Sequence, residues 1–163
     1  MTSATLRTEG TKPVVTLVRE LVDPPETVWL ALTEPDRLQA WFPCGIVTDG
    51  WRVGAELTFP FPDDVGMTLS GVVLELDRPR LLAYTWGDET LRFELSPLPS
   101  GGTRLVLSDE LPASFAARNA AGWEVCLDRL TGLVPPEDAW TPLFDHYAAS
   151  FEPALGPQDG PPV

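Results

Sequence analysis

Apolar side chains change their spacing several times along this chain, and each change marks a boundary between helix and strand. Val14 to Leu21 is rich in β-branched and aliphatic residues and predicts a first strand with apolar positions on both faces. Asp23-Pro24-Pro25-Glu26 then offers a side-chain oxygen for an N-cap, prolines where a missing amide donor costs nothing, and a carboxylate that reaches back. A helix starts there, with Val28, Trp29 and Leu32 on its apolar face. Thr33-Glu34-Pro35-Asp36 restarts a second short helix whose face is Leu38, Trp41 and Phe42, and Pro43 ends it.

From Gly45 to Asp109 the period is two. It predicts six strands, at Ile46 to Thr48, Ala55 to Phe61, Met67 to Leu76, Leu81 to Trp86, Thr90 to Leu95 and Thr103 to Ser108. Leu91, Phe93 and Leu95 alternate with Thr90, Arg92 and Glu94, the pattern of an antiparallel strand with one buried and one wet face. Hairpin turns are predicted at Asp49-Gly50, Pro62-Asp63-Asp64, Asp77-Arg78-Pro79, Gly87-Asp88 and Ser100-Gly101-Gly102.

After Pro112 the period returns to 3.6. Phe115, Ala116, Ala120, Trp123, Leu127, Leu130 and Val134 predict the longest helix, stopped at Gly132, with Gly122 suggesting close backbone approach to the sheet. Trp140, Leu143, Phe144, Tyr147 and Phe151 form a further stripe, interrupted by Thr141-Pro142, so a short helix is expected from Pro142. The organisation read from this is a flexible leader over 1–12, a domain over 13–134, and an extension over 135–163 with a short helix and a frayed Pro/Gly-rich end. No internal repeat is present.

With 163 residues the chain has the size of one domain, able to bury roughly 70% of its unfolded surface. Its net charge of −13 sets it against phosphate backbones and anionic membrane surfaces, so nucleic acid and membrane are not expected partners. No signal or lipidation pattern opens the sequence, and a cytoplasmic location is expected. Cys44 and Cys126 are far apart and form no Cys/His cluster, so reduced structural thiols are expected and no metal.

A strand, two short helices, six antiparallel strands and a long helix make an α+β chain whose sheet needs the helix laid across it. Several segments carry a resemblance: Pro25 to Trp29 with Ala31-Leu32-Thr33-Glu34-Pro35, Gln39-Ala40-Trp41-Phe42, Val53-Gly54, Leu82-Ala83-Tyr84-Thr85-Trp86, and Gly122-Trp123 followed by Leu127. In this order they resemble the SRPBCC superfamily and, within it, the family named after the activator of Hsp90 ATPase homologue 1, related to START and Bet v 1 domains. The resemblance spans about residues 14 to 133. It implies a helix-grip fold, with a curved seven-stranded antiparallel sheet wrapped around a long carboxy-terminal helix and two short helices after the first strand. It also implies a cavity between sheet and helix that holds sterols, lipids, polyketides, hormones or aromatic compounds.

The candidate cavity residues are Trp41, Phe42, Phe59, Phe61, Trp86 and Phe93, joined by Asn119, Trp123 and Leu127 from the long helix. Plain core packing is the competing reading for each of them. Catalytic chemistry is sparse. His146 is the single histidine and lies outside the resemblance, and Asp145 beside it points elsewhere on a helix. Some members of the family carry a His three residues before the Gly-Trp pair, where this chain has Asn119, which is no general base near neutral pH. Glu56, Glu75 and Glu94 are strand carboxylates read as solvated. No catalytic residue, cofactor or metal is assigned. The expectation is a carrier or sensor of an apolar or aromatic small molecule, as a monomer or homodimer. The alternatives are a polyketide cyclase or aromatase-like enzyme and a protein-interaction domain. An Hsp90-like chaperone is not the expected partner, since the eukaryotic activator has an additional amino-terminal domain for which this chain has no room.

Overall fold

The computed structural model describes residues 4–62 and 67–161. Its strands are β1 (Thr5–Arg7), β2 (Val14–Leu21), β3 (Glu56–Pro60), β4 (Thr68–Asp77), β5 (Leu81–Trp86), β6 (Glu89–Pro97) and β7 (Thr103–Glu110). They form one antiparallel seven-stranded sheet in the order β1-β2-β7-β6-β5-β4-β3. Helices α1 (Pro25–Thr33) and α2 (Pro35–Leu38) follow β2, and α3 (Ala116–Leu130) and α4 (Trp140–Leu155) follow β7. The molecule is an α+β helix-grip fold, with α3 lying in the concave face of the curved sheet.

The period-two segments become strands because alternate residues have a dry side to face. On β6, Glu89, Leu91, Phe93 and Leu95 point inward, and on β7, Thr103, Leu105, Leu107 and Asp109 do the same. The β6–β7 register sets Leu91 opposite Asp109 and Phe93 opposite Leu107. Leu82, Tyr84 and Trp86 continue the inward face on β5. Ala116, Ala117, Ala120 and Ala121 keep that side of α3 thin enough to lie close to its neighbours, and Leu127 seals its far end, all of them fully buried. Arg19 of β2 holds Glu124 and Asp128 of α3 at 3.7 and 3.8 Å, fixing the helix along the sheet. Gly71 on β4 has no room for a side chain: a Cβ there would run into the Thr85 carbonyl and the Phe59 ring.

The sequence reading needs several corrections. Within the predicted leader, Thr5–Arg7 is a strand paired with Val14–Thr16, too short to produce a period. Ile46 to Thr48 is not a strand but a single bridge between Val47 and Thr58, so seven strands are reached by a different set. The Asp23 cap does not form: Pro24 occupies the N-cap with no side-chain bond, and Glu26 instead pairs with Arg78 at 3.1 Å. A single 3-10 turn at Ala113–Phe115 precedes α3, which ends at Leu130 and leaves Val134 93% exposed. The predicted turn at Pro62-Asp63-Asp64 lies largely outside the described residues.

The extension departs furthest from expectation. Its helix α4 has 16 residues, one more than α3, and runs past the predicted frayed boundary to Leu155. Tyr147 and Phe151 are buried against the domain. The Tyr147 hydroxyl accepts the Ala4 amide at 2.8 Å, and Gln158 accepts the Ala117 amide at 2.9 Å and donates to the Ala113 carbonyl at 3.0 Å. The extension is thus tied to the start of α3 through Gln158 and to Ala4 through Tyr147.

Candidate functional site

A cavity of about 390 Å³ opens where β5 turns into β6 beneath the first half of α3. Trp86 and Glu89 reach it from the sheet, Phe61 and Leu69 flank it, and Asn119, Gly122 and Trp123 come down from the helix. Trp140, the first residue of α4, closes one side, its indole N–H 3.3 Å from the Arg118 carbonyl and its ring stacked on Phe144 at 4.9 Å. The extension therefore builds a wall of this cavity.

Among the predicted residues, Phe61, Trp86, Asn119 and Trp123 meet at the cavity. Phe42, Phe59, Phe93 and Leu127 do not line it, because each is sealed in the core. Phe42 backs the wall, its ring 6.2 Å from Trp86 and 5.7 Å from Trp123, while Phe59 and Phe93 pack on Tyr84. Trp41 spends its indole N–H on the Ala31 carbonyl at 2.8 Å and borders a separate cavity of about 300 Å³ between α1, α2 and the end of α3. The resemblance implied a cavity between sheet and helix; the 390 Å³ opening lies at the β5–β6 end of that space, and Phe42, Phe59, Phe93 and Leu127 pack the core beside it. The close backbone approach to the sheet expected at Gly122 is not found: a Cβ there would meet only the Trp140 indole nitrogen, at 3.9 Å.

The polar centre of the cavity is a group that the sequence reading did not single out. Glu89 and Asp109 stand on neighbouring strands with 9% and 0% of their surfaces exposed. Asn119 donates from Nδ2 to Glu89 Oε1 at 2.6 Å and to Asp109 Oδ2 at 3.3 Å. Trp123 donates from Nε1 to the same Asp109 oxygen at 2.8 Å. Burial first, then the neighbouring Asp109 charge, pushes the Glu89 carboxyl up to about 10, against the opposing pull of Arg118 and Asn119. Burial also raises Asp109, to about 6, with hydrogen bonds from Glu89, Trp123 and Asn119 holding it down. The two therefore titrate as a pair that keeps one proton at neutral pH. Glu56, Glu75 and Glu94, the carboxylates considered from sequence, are all solvent-exposed.

The thiols are quiet. Burial pushes Cys44 up to about 12, against the pull of the Trp86 indole N–H, and Cys126 up to about 11. His146 packs edge-on against Tyr147, far along α4 from Trp140, and takes no part in the cavity. Among the described residues, no group of three or more His, Cys, Asp or Glu is placed to hold a metal ion, and no helix is long and apolar enough to cross a membrane.

The family model for activator of Hsp90 ATPase homolog 1-like proteins matches residues 23–135. No curated protein matches the chain. Among solved structures, a conserved protein of unknown function, EF2215 from Enterococcus faecalis, is 26% identical with a TM-score of 0.77, covering 90% of this chain and 89% of that one. CalU16 from Micromonospora echinospora is 25% identical with a TM-score of 0.72, covering 91% and 96%. An AHSA1-like protein from Aeromonas hydrophila shares the fold at 21% identity and a TM-score of 0.63, covering 73% and 90%.

Proposed function

The chain belongs to the activator of Hsp90 ATPase homolog 1-like family, and on that premise we propose that it binds a neutral, largely aromatic small molecule in the cavity beneath α3, as a carrier or sensor. The observation that carries this reading is the cavity itself: about 390 Å³, walled by Phe61, Trp86, Trp123 and Trp140, with a single polar focus at Glu89 and Asn119. That is the lining expected of a small-molecule site, apolar walls giving affinity and a few convergent polar groups giving orientation. Asp88 and Arg118 on the rim carry opposite charges and the Glu89–Asp109 pair keeps one buried negative charge, so an anion is disfavoured and an uncharged ligand with a hydrogen-bonding group fits. The net charge of −13 disfavours phosphate backbones and anionic membrane surfaces as partners.

A thermal-shift screen against sterols, flavonoids and neutral polyketides, with fatty acids and aromatic acids as the charged comparison, tests this, with tryptophan fluorescence titration of each hit. A ligand at 100 times its Kd stabilises the fold by about 2.7 kcal/mol, a shift of several degrees. Trp86 and Trp123, whose rings lie 5.6 Å apart on the wall, make the fluorescence sensitive to occupancy. Absence of saturable binding by every class overturns the reading.

A further inference from the structure

Glu89 lies at the cavity wall and Asp109 lies behind it, and their hydrogen bonds say which of them holds the proton. Asp109 Oδ2 collects the indole N–H of Trp123 at 2.8 Å and an amide hydrogen of Asn119 at 3.3 Å, which is how a protein holds an anion. Asp109 Oδ1 is buried and receives no N–H at all. Glu89 and Asp109 are hydrogen-bonded to each other in the sense that raises Glu89 and lowers Asp109, so the shared hydrogen belongs to Glu89, while Glu89 Oε1 remains an acceptor for Asn119 at 2.6 Å. Glu89 is thus a neutral acid facing the cavity, with an anion behind it ready to take its hydrogen. On the rim, the Arg118 guanidinium lies 3.7 Å over the Phe115 ring, a positive charge beside an apolar space.

From this arrangement we propose that Glu89 and Asp109 form a proton-transfer pair acting on an aromatic ketone held in the cavity, with Glu89 taking the proton from the carbon next to the carbonyl. The inference rests on the cavity being a ligand site. The C–H bond breaks and its proton bonds to Glu89; the hydrogen already on Glu89 passes to Asp109. The electron pair becomes the C=C bond of an enolate whose negative charge resides on oxygen, where Arg118 supplies a positive charge. Reversal returns a proton to the carbon, and no oxidant, reductant or metal is required. Glu89 is the catalytic residue, and Asp109 acts through it as a relay. A pair that holds one of two possible protons is able to accept and return a proton in the same site, as enolisation demands. The groups facing the pair are Arg118, Asn119 and Trp123 from α3, Tyr84 from β5 and Asp88 at the cavity edge.

The probe is 2-tetralone, a bicyclic aromatic ketone, incubated with the full chain in D2O. Proton NMR follows deuterium entry beside the carbonyl, and tryptophan fluorescence follows binding. The expected result is saturable exchange that is roughly 100-fold slower in Glu89→Gln. The glutamine retains an oxygen for Asn119 and an N–H for Asp109, so binding persists. The rate in the unaltered chain rises with pH near 6, as Asp109 becomes the anion that receives the hydrogen, and Asp109→Asn abolishes that rise. Arg118→Gln, which removes the rim charge and leaves both carboxyls in place, lowers the saturated rate as well. Binding of 2-tetralone without exchange, or exchange unaffected by Glu89→Gln, overturns the proton-transfer role and leaves the binding function standing. Failure of 2-tetralone to bind while another class in the screen does bind overturns the ketone assignment; failure of every class overturns both.

Discussion

Trp123 donates its indole N–H to Asp109 Oδ2 at 2.8 Å, which joins the helix to the sheet through a carboxylate that has no solvent exposure. A buried carboxylate without donors is among the costliest groups a protein can hold, so the indole serves the fold as well as the cavity wall. Trp123→Phe keeps a ring against Phe42 and Trp86 but removes that donor. It is expected to lower stability by about 1–3 kcal/mol in urea unfolding. Placing the same substitution in an Asp109→Asn background is expected to cost less, since an amide left unpaired is cheaper than an anion.

The Glu89–Asp109 pair makes stability depend on pH in a defined direction. Glu89 holds its proton up to about 10 in the folded chain, well above an ordinary carboxyl, so between those values the folded state binds more protons than the unfolded one. Its contribution is therefore complete below the unfolded pKa and is lost as pH rises toward and through the folded value. Asp109 adds a smaller loss in the same direction, up to about 6. Glu89→Gln removes the larger loss. Chemical denaturation from pH 5 to pH 9 should show the variant gaining on the parent by a few kcal/mol, on the order of 1.4 kcal/mol for each pKa unit. Parallel curves would mean that Glu89 is ionised in the folded chain.

How far this site could be read in the sequence turns on two strand ends. Leu91, Phe93 and Leu95 declare an inward face, and one further step back along the same alternation lands on Glu89. Leu105 and Leu107 do likewise, and one step forward lands on Asp109. Both predicted strands stopped a residue short, at Thr90 and Ser108, because a carboxylate next to a turn looks like the solvated end of a strand. The period carries the direction of a side chain even where its chemistry argues for water, and that conflict is itself a mark of a functional position. The fold was legible because its signals are long: eight-residue strands and a 15-residue amphipathic helix. The strand Thr5–Arg7 has three residues and no measurable period. Helix α4 was read as starting at Pro142, yet Pro142 is its third residue, within the first turn, where a missing N–H costs nothing.

Leu127 and Trp140 separate core from cavity. Leu127 has no exposed surface and does not reach the opening, so Leu127→Ala should cost about 2–5 kcal/mol and leave the affinity of any bound ligand nearly unchanged. Trp140 is only half-buried and forms one side of the opening. Trp140→Ala should weaken ligand binding while costing less stability than the leucine change. Measuring Kd by fluorescence and stability by denaturation on both variants gives opposite rankings if the cavity is where the geometry places it.

Gly122 offers the converse experiment, filling space instead of creating it. Glycine within a helix costs about 0.5–1 kcal/mol relative to alanine, because the unfolded chain has more freedom to lose. Gly122 sits in the middle of α3 without positive φ, and an added Cβ would meet only the Trp140 indole nitrogen at 3.9 Å, an ordinary contact. Gly122→Ala should therefore stabilise the chain by about that amount in thermal denaturation. A longer side chain at the same position projects into the 390 Å³ opening between Trp123 and Trp140. Gly122→Leu should then keep a folded, cooperative transition and lose ligand binding. The helix needs no glycine here, so a stable Gly122→Ala variant that binds ligand less well would show that the glycine serves the cavity.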